Sequence, residues 1–183
     1  MYKILMAAAL MTFSVPASAQ MIVLGTGLSR TCYETALVSQ TVDREDIEVC
    51  TKALSQAAIP RDKRIATLVN RGILFMRAGD YDRAIDDYDL ALKMDDSNGA
   101  AYINKGAALI YKGQYDEALL VLNTAVALNP DDLHAAYYNR ALVLEQQGDL
   151  NAAYDDLTKA LELKPEWDLA VKQLDRYVVT SAS

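Results

Sequence analysis

The sequence predicts an all-α fold: a right-handed solenoid of helix-turn-helix repeats with a C-terminal capping helix. Three consecutive segments of nearly equal length align with one another. Each carries small and apolar residues at the spacing of two amphipathic helices, with a glycine between them. A further apolar stripe at helical spacing follows the last segment, where a solenoid needs a cover for its open end.

The chain begins with the pattern of a secretory signal peptide. Lys3 precedes an apolar run, residues 4–15, that is too short to span a bilayer. Pro16 and a small-residue tripeptide ending at Ala19 follow, in the form that a signal peptidase recognises. We therefore expect residues 1–19 to be cleaved after Ala19, which makes the mature protein periplasmic or secreted. The alternative is a buried N-terminal helix.

The charge of the chain argues against two classes of partner. The net charge is −7 at pH 7, and after cleavage 17 basic and 25 acidic residues give −8. An acidic chain without a basic run is repelled by nucleic-acid phosphates and by anionic lipid surfaces. No later segment is apolar enough to span a bilayer, and Cys32 lies too far from the apolar run for lipid attachment. We expect no nucleic-acid partner and no stable membrane anchor.

The aligned segments define the helices of each repeat. They are repeat 1 (65–98), repeat 2 (99–132) and repeat 3 (133–167). The first helix should end at Gly79, Gly113 or Gly148, because glycine adopts the left-handed conformation of a helix C-terminus without a Cβ penalty. Asp80 should then cap the second helix of repeat 1 through its carboxylate. Small residues should meet where the two helices cross, pairing Gly72 with Ala84, Gly106 with Ala118, and Ala141 with Ala153.

This pattern resembles that of the tetratricopeptide repeat family. In repeat 2 it is carried by Tyr102, Gly106, Gly113, Tyr115, Ala118, Leu122, Ala125 and Pro130. The resemblance covers residues 65–167 and implies a protein-binding solenoid whose first helices line a concave groove. Repeat 1 departs from the family pattern, since Asp96 stands in place of the proline.

A second departure suggests ion pairs between helices. Arg71 and Arg140 occupy a site that is usually apolar in the family, and their repeats carry Asp87 and Asp156 at corresponding positions. The repeat with a lysine at that site has a valine instead of the aspartate. We therefore predict that Arg71 pairs with Asp87 and Arg140 with Asp156.

Sequence on both sides extends the stack. Within the N-terminal segment 20–64, residues 43–54 align with the second helix of repeat 1, so residues 29–60 are predicted to form a divergent repeat. After repeat 3, residues 168–183 should form the capping helix and a tail. The apolar stripe of the cap consists of Trp167, Ala170, Val171, Leu174 and Tyr177.

Cys32 and Cys50 are the two cysteines of the chain. An even count in an exported protein favours a disulfide, which would staple the two helices of the divergent repeat. A free or metal-binding pair is the alternative, but two cysteines and one histidine cannot complete a zinc site.

Nothing in the sequence indicates catalysis, a metal site or a cofactor. The acidic stretch at residues 78–89 lacks the alternating ligands and glycine turn of a calcium loop, so capping and solvation explain it. His134 has no nucleophile or carboxylate placed to work with it. The glycines at residues 24–29 lack the lysine and helix of a phosphate loop.

The resemblance assigns partner binding to one set of positions on the first helices, which we call the groove residues. They are Val69, Asn70, Ile73, Met76, Ile103, Asn104, Ala107, Ile110, Tyr138, Asn139, Leu142 and Glu145. One asparagine recurs in each repeat, and a carboxamide can both donate to and accept from a peptide backbone. Bonding between helices within the groove wall is an equally good interpretation of these asparagines.

The resulting expectation is a non-enzymatic adaptor or scaffold that binds a peptide or helical segment of a protein partner. Members of the family that bind the acidic C-terminus of a chaperone use lysine and asparagine where this chain has Val69 and Ile73, or Ile103 and Ala107, so the resemblance disfavours such a ligand. One alternative is a self-assembling structural scaffold of the cell envelope, with homo-oligomers. A remote alternative is a thiol redox protein using Cys32 and Cys50, although their spacing is unlike a CxxC motif.

Overall fold

The computed structural model describes residues 2–6, 27–39 and 41–181, so most of the predicted signal peptide lies outside the described residues. These ranges contain nine α-helices and two short β-strands. The helices are α1 (Leu28–Val38), α2 (Arg44–Leu54), α3 (Arg61–Arg77), α4 (Tyr81–Met94), α5 (Gly99–Tyr111), α6 (Tyr115–Leu128), α7 (Leu133–Gln146), α8 (Leu150–Leu163) and α9 (Asp168–Leu174); the strands are β1 (Tyr2–Met6) and β2 (Tyr177–Ser181).

Consecutive helices pack in pairs, and each pair packs on the next. Helix α3 packs on α4, α5 on α6 and α7 on α8, while the second helix of each pair also contacts the first helix of the following pair. The core runs along this stack, and its largest buried side chains include Tyr88, Leu122 and Leu157 on the second helices. The predicted all-α repeat solenoid is confirmed. None of the described helices is long and apolar enough to cross a membrane.

The turn inside each repeat is built on a glycine, as the sequence predicts. Gly79, Gly113 and Gly148 have φ angles of 77°, 73° and 83°, in the left-handed region where a Cβ atom would be strained. Asp80 follows the first of these turns, and its side chain accepts a hydrogen bond from the backbone N–H of Arg83. The prediction that Asp80 caps α4 is therefore confirmed.

At the helix crossing, the side chain nearest to each glycine is a large residue of the second helix, which the sequence analysis did not predict. A Cβ atom built on Gly72 would lie 2.4 Å from the Tyr88 ring, and one built on Gly106 would lie 2.6 Å from Leu122. The predicted partners, Ala84 and Ala118, are buried one turn earlier in the chain. A glycine fits at this position because a large side chain of the second helix lies directly over it.

This contact predicts different effects for the same substitution in two repeats. Gly72→Ala should lower the free energy of unfolding by about 1–2 kcal/mol, because overpacking against a rigid ring costs about 1–3 kcal/mol and better helix propensity offsets up to about 1 kcal/mol. Gly106→Ala is the matched control and should change it by less than about 0.5 kcal/mol, since repeat 3 already combines Ala141 with Leu157 at these positions. Urea unfolding followed by circular dichroism measures both, and equal losses would contradict the prediction.

Both predicted ion pairs are confirmed, and both are bidentate. Arg71 donates from Nε and Nη2 to the two carboxylate oxygens of Asp87 at 2.8 and 2.7 Å. Arg140 bonds Asp156 in the same way at 2.7 and 2.8 Å. Each pair ties the first helix of a repeat to the second.

The same basic position also links each repeat to the one before it, which the sequence analysis did not predict. The three contacts are Arg71 Nη1 to Thr51 Oγ1 at 3.1 Å, Lys105 Nζ to Asp89 Oδ1 at 2.8 Å, and Arg140 Nη1 to Asn123 Oδ1 at 2.9 Å. Thr51, Asp89 and Asn123 occupy corresponding positions on α2, α4 and α6. These contacts explain why Lys105 is basic although its own repeat lacks the aspartate.

Helices α1 and α2 form the predicted divergent repeat at the start of the stack. They pack on each other, and both pack on α3. Cys32 and Cys50 are joined in a disulfide bond between the two helices, within a small buried cluster that includes Ala36 and Leu74.

The capping helix is shorter than the sequence predicts. Helix α9 packs on α8 but ends at Leu174. Tyr177, expected on the apolar stripe of the cap, instead begins strand β2, and Val171 on the same stripe is exposed. Valine and threonine follow Tyr177 in the sequence, and these β-branched residues favour a strand over a helix. Strand β2 pairs antiparallel with β1, placing Met6 opposite Tyr177.

Candidate partner-binding groove

The groove residues lie at corresponding positions on α3, α5 and α7, the first helices of the three repeats. These helices contact one another side by side, α3 with α5 and α5 with α7. All twelve groove residues are buried, with an exposed fraction of 6% or less. The structure therefore brings them together on one side of the stack, but in the 183-residue chain this side is not open to solvent.

The recurring asparagines are the most polar part of this apolar surface. Asn70, Asn104 and Asn139 are all completely buried. The carboxamide oxygen and nitrogen of Asn139 accept and donate no hydrogen bond within the part of the chain that the structure describes. Leaving a buried polar group unbonded costs about 1–3 kcal/mol. Among the described residues, bonding between helices thus does not account for Asn139.

Glu145 is the charged member of the groove residues, and the C-terminal part of the chain supplies partners for its carboxylate. The side chain of Glu145 is only 1% exposed. Its Oε2 atom accepts hydrogen bonds from Gln173 Nε2 at 2.5 Å and from the hydroxyl of Tyr177 at 2.9 Å. Its Oε1 atom lies 3.4 Å from Nη1 of Arg176. The C-terminal segment, residues 173–177, therefore covers the end of the groove in repeat 3.

Burial and this carboxylate raise the proton affinity of the surrounding tyrosines. Burial and then Glu145 raise the pKa of Tyr138 to about 12. The pKa of Tyr177 is raised as well, first by burial and then by Glu145. Both hydroxyls are therefore neutral around pH 7, and Tyr177 is able to donate to Glu145.

Sequence reasoning missed this segment because nothing in the repeat pattern points to it. The one available signal was Glu145 itself, a charged residue at the position where the other repeats have Met76 and Ile110. A second missed contact lies at the opposite end of the groove, where Arg77 Nη1 donates to the carbonyl oxygens of Ala36 and Ser39 at 2.5 and 3.0 Å. Arg77 thereby ties α3 to the end of α1.

The acidic stretch at residues 78–89 has structural roles. Asp80 caps α4, Asp87 binds Arg71, and Asp89 binds Lys105. No cluster of residues able to hold a metal ion occurs in the described ranges. His134 contacts the edge of Trp167, with ring centroids 4.8 Å apart, and burial lowers its pKa. These contacts stabilise the fold.

Comparison with known proteins identifies the repeat. Models of the tetratricopeptide repeat match residues 69–132 and residues 134–166. The chain belongs to the tetratricopeptide repeat family. The two matches begin on α3 and end after α8, so they cover the three regular repeats and exclude the divergent repeat and the cap.

The chain spans only part of the length of the curated relatives that it matches. Photosystem I assembly protein Ycf3 of Acaryochloris marina is 34% identical over 92 residues, which are 50% of this chain and 54% of that protein. TPR repeat-containing protein MJ1428 of Methanocaldococcus jannaschii is 32% identical over 88 residues, which are 48% of this chain and 15% of that protein. The chain covers less than two thirds of each of these relatives.

Solved structures with a similar fold include proteins with bound peptides. MamA from Desulfovibrio magneticus RS-1 has a TM-score of 0.63 and 25% identity, covering 81% of this chain and 82% of that one. The first TPR of Spaghetti (RPAP3), bound to the HSP90 peptide SRMEEVD, has a TM-score of 0.59 and 27% identity, covering 66% of this chain and 94% of that one. Protein–protein interaction is the typical activity of tetratricopeptide repeat domains.

Proposed function

We propose that this tetratricopeptide repeat protein is a non-enzymatic interaction module of the periplasm or the extracellular space. It holds an extended segment of a partner protein against α3, α5 and α7. The observation that carries this proposal is the completely buried carboxamide of Asn139, which makes no hydrogen bond within the described chain. A peptide backbone presents both the donor and the acceptor that such a group needs.

The spacing of the asparagines supports an extended ligand. Asn70 and Asn104 occupy the position of Asn139 in repeats 1 and 2, so one carboxamide recurs at this position in each repeat. A ligand lying along the stack would pass each of them in turn. Neighbouring apolar groove residues would bury its side chains and supply most of the affinity.

The chemistry of the groove also indicates which segments fit. Spaghetti binds a peptide that ends in EEVD. The groove here presents Val69, Ile73, Ile103 and Ala107, and its charged member is the acidic Glu145. An acidic tail would find no cation among these groove residues. We propose an apolar or amphipathic segment as the ligand.

The form that binds is the chain that remains after cleavage at Ala19. The groove residues are buried in the 183-residue chain, so binding requires a form in which they become accessible. Cleavage would remove β1, which pairs with β2 directly after the C-terminal segment that covers Glu145. In an oxidising compartment the disulfide between Cys32 and Cys50 would also persist. Both cysteines are fully buried, which opposes thiol exchange and hence the redox alternative.

A library of displayed random peptides, panned against residues 20–183, tests this function. Enriched peptides should be rich in apolar residues. Their affinity should fall at least tenfold when Asn70, Asn104 and Asn139 are all replaced by alanine, since each hydrogen bond is worth about 0.5–1.5 kcal/mol. Asn151→Ala, at an exposed position of α8, is the matched control and should leave the affinity unchanged.

Stability measurements separate a loss of binding from a loss of folding. Asn139→Ala alone should change the free energy of unfolding by less than about 1 kcal/mol, because removing a buried unbonded group offsets the lost packing. The proposal fails if no peptide is enriched, or if the folded triple variant binds the enriched peptides as well as the unchanged protein does.

Self-assembly remains a second candidate because of one exposed side chain. Leu120 on α6 is 70% exposed, and the corresponding residues of repeats 1 and 3 are Asp86 and Asp155. This repeat exposes a leucine where its counterparts are acidic, and we propose that a second copy of the chain covers it. Sedimentation velocity at several concentrations should then show association in residues 20–183, and Leu120→Asp should abolish it. A monomer at every concentration rejects this candidate.

A further inference from the structure

A charged side chain interrupts the apolar groove at its repeat 3 end. Glu145 stands where repeats 1 and 2 carry Met76 and Ile110. A carboxylate that is almost completely buried needs several donors, because an uncompensated buried charge is strongly unfavourable. The position is therefore built for a ligand that brings hydrogen-bond donors and positive charge.

The chain shows which donors satisfy this carboxylate. Gln173, Arg176 and Tyr177 all approach it, and all three belong to the C-terminal segment. Both hydrogen bonds go to Oε2, whereas the contact of Oε1 with Arg176 is an ion pair at 3.4 Å, longer than a hydrogen bond. Within the described chain Oε1 accepts no hydrogen bond, so a better-placed guanidinium could bind it more strongly than Arg176 does.

We propose that Glu145 forms a subsite for an arginine followed by a tyrosine. The C-terminal segment fills this subsite in the free protein, and an arginine–tyrosine segment of the partner replaces it on binding. This inference rests on the proposed function, because it places the end of the partner segment at Glu145. The C-terminal segment thus competes with the partner for Glu145 and weakens the observed affinity for the partner.

Two further features favour replacement by a basic segment. Cleavage after Ala19 would remove β1, the strand that pairs with β2 from Tyr177 onward. The C-terminal segment would then keep its contacts with Glu145 and the contact of Tyr177 with the Tyr154 ring, but would lose the strand pairing. The net charge of −8 after cleavage also attracts a basic segment and accelerates its association.

A fluorescent peptide that copies residues 173–179 tests the subsite in binding measurements by fluorescence anisotropy. The protein is residues 20–183, either unchanged or carrying Arg176→Ala and Tyr177→Phe, which removes the internal competitor. The double variant should bind the peptide at least tenfold more tightly than the unchanged protein. Adding Glu145→Gln to the double variant should remove this gain, and so should replacing the arginine of the peptide by alanine.

Controls keep the result interpretable if a variant is unstable. Glu145→Met introduces the residue that repeat 1 uses at this position, so it preserves an apolar groove and should abolish binding in the same background. Equal affinity for the unchanged protein and the double variant, or no binding to either, overturns the inference. Peptides from the random library that depend on the asparagines but not on Glu145 would overturn the subsite and leave the proposed function standing.

Discussion

Replacing Arg140 with alanine is expected to lower the free energy of unfolding by about 3–5 kcal/mol, the usual cost of breaking a buried ion pair. Both carboxylate oxygens of Asp156 are held by Arg140, and the Asp156 side chain is only 8% exposed. Truncation would leave this carboxylate buried without its cation. It would also remove the bond from Arg140 to Asn123, which links repeats 2 and 3. Urea unfolding followed by circular dichroism measures the loss.

Two comparisons separate the pair from a general effect of charge. Lys159→Ala breaks an exposed ion pair with Glu162, whose side chains are both 55% exposed, and should cost less than about 1 kcal/mol. Replacing Arg140 by methionine and Asp156 by leucine together should be neutral or stabilising, because no unpaired charge remains. If Arg140→Ala lowers the free energy of unfolding no more than Lys159→Ala does, the buried pair is no more stabilising than an exposed one and the prediction is wrong. The inter-repeat contacts would then not explain the basic residue in every repeat.

Removing the disulfide is expected to lower the free energy of unfolding by about 3 kcal/mol, because the bond closes a loop between cysteines 18 residues apart. Helices α1 and α2 lack the glycine at the helix crossing that repeats 1 and 2 have, so the double variant Cys32→Ala and Cys50→Ala removes the covalent link between them. We expect the loss to fall on this end of the stack, since each repeat of a solenoid depends on its neighbours. Hydrogen exchange should show the largest increase in α1 and α2.

Thiol titration of the native protein checks the bond directly. No free thiol should react before denaturation and reduction. Reduction should lower the melting temperature of the unchanged protein to that of the double variant, and should leave the variant unaffected. Two reactive thiols in the native protein, or a variant as stable as the oxidised protein, would contradict the prediction.

Local and periodic features were predictable from the sequence. Gly79 and its equivalents end helices because of a backbone conformation that glycine favours, and Asp80 caps a helix through its own first turn. The pairing of Arg71 with Asp87 was also predictable, because the residues covary between repeats within this one chain. Each of these inferences needs only the sequence spacing and the comparison of three repeats.

The sequence was less informative where a contact depends on side-chain direction or on a break in the repeat. The closeness of Tyr88 to Gly72 was not predicted, because spacing identifies the buried face but not which of its side chains lies nearest. The capping helix stops at Leu174, where the repeat pattern no longer guides the assignment. The β-branched residues after Tyr177 favour a strand there.

The sequence by itself determined the repeat period, the helices of the solenoid and the buried positions that the three repeats share, because all of these recur at fixed spacing. Only the tertiary structure decided how the groove is closed. Gln173 and Tyr177 reach Glu145 across 28 and 32 residues, and no spacing rule connects them. The tertiary structure likewise shows that Lys105 binds Asp89 of the preceding repeat. Contacts of this kind follow from how folded elements meet in space, which a one-dimensional pattern does not specify.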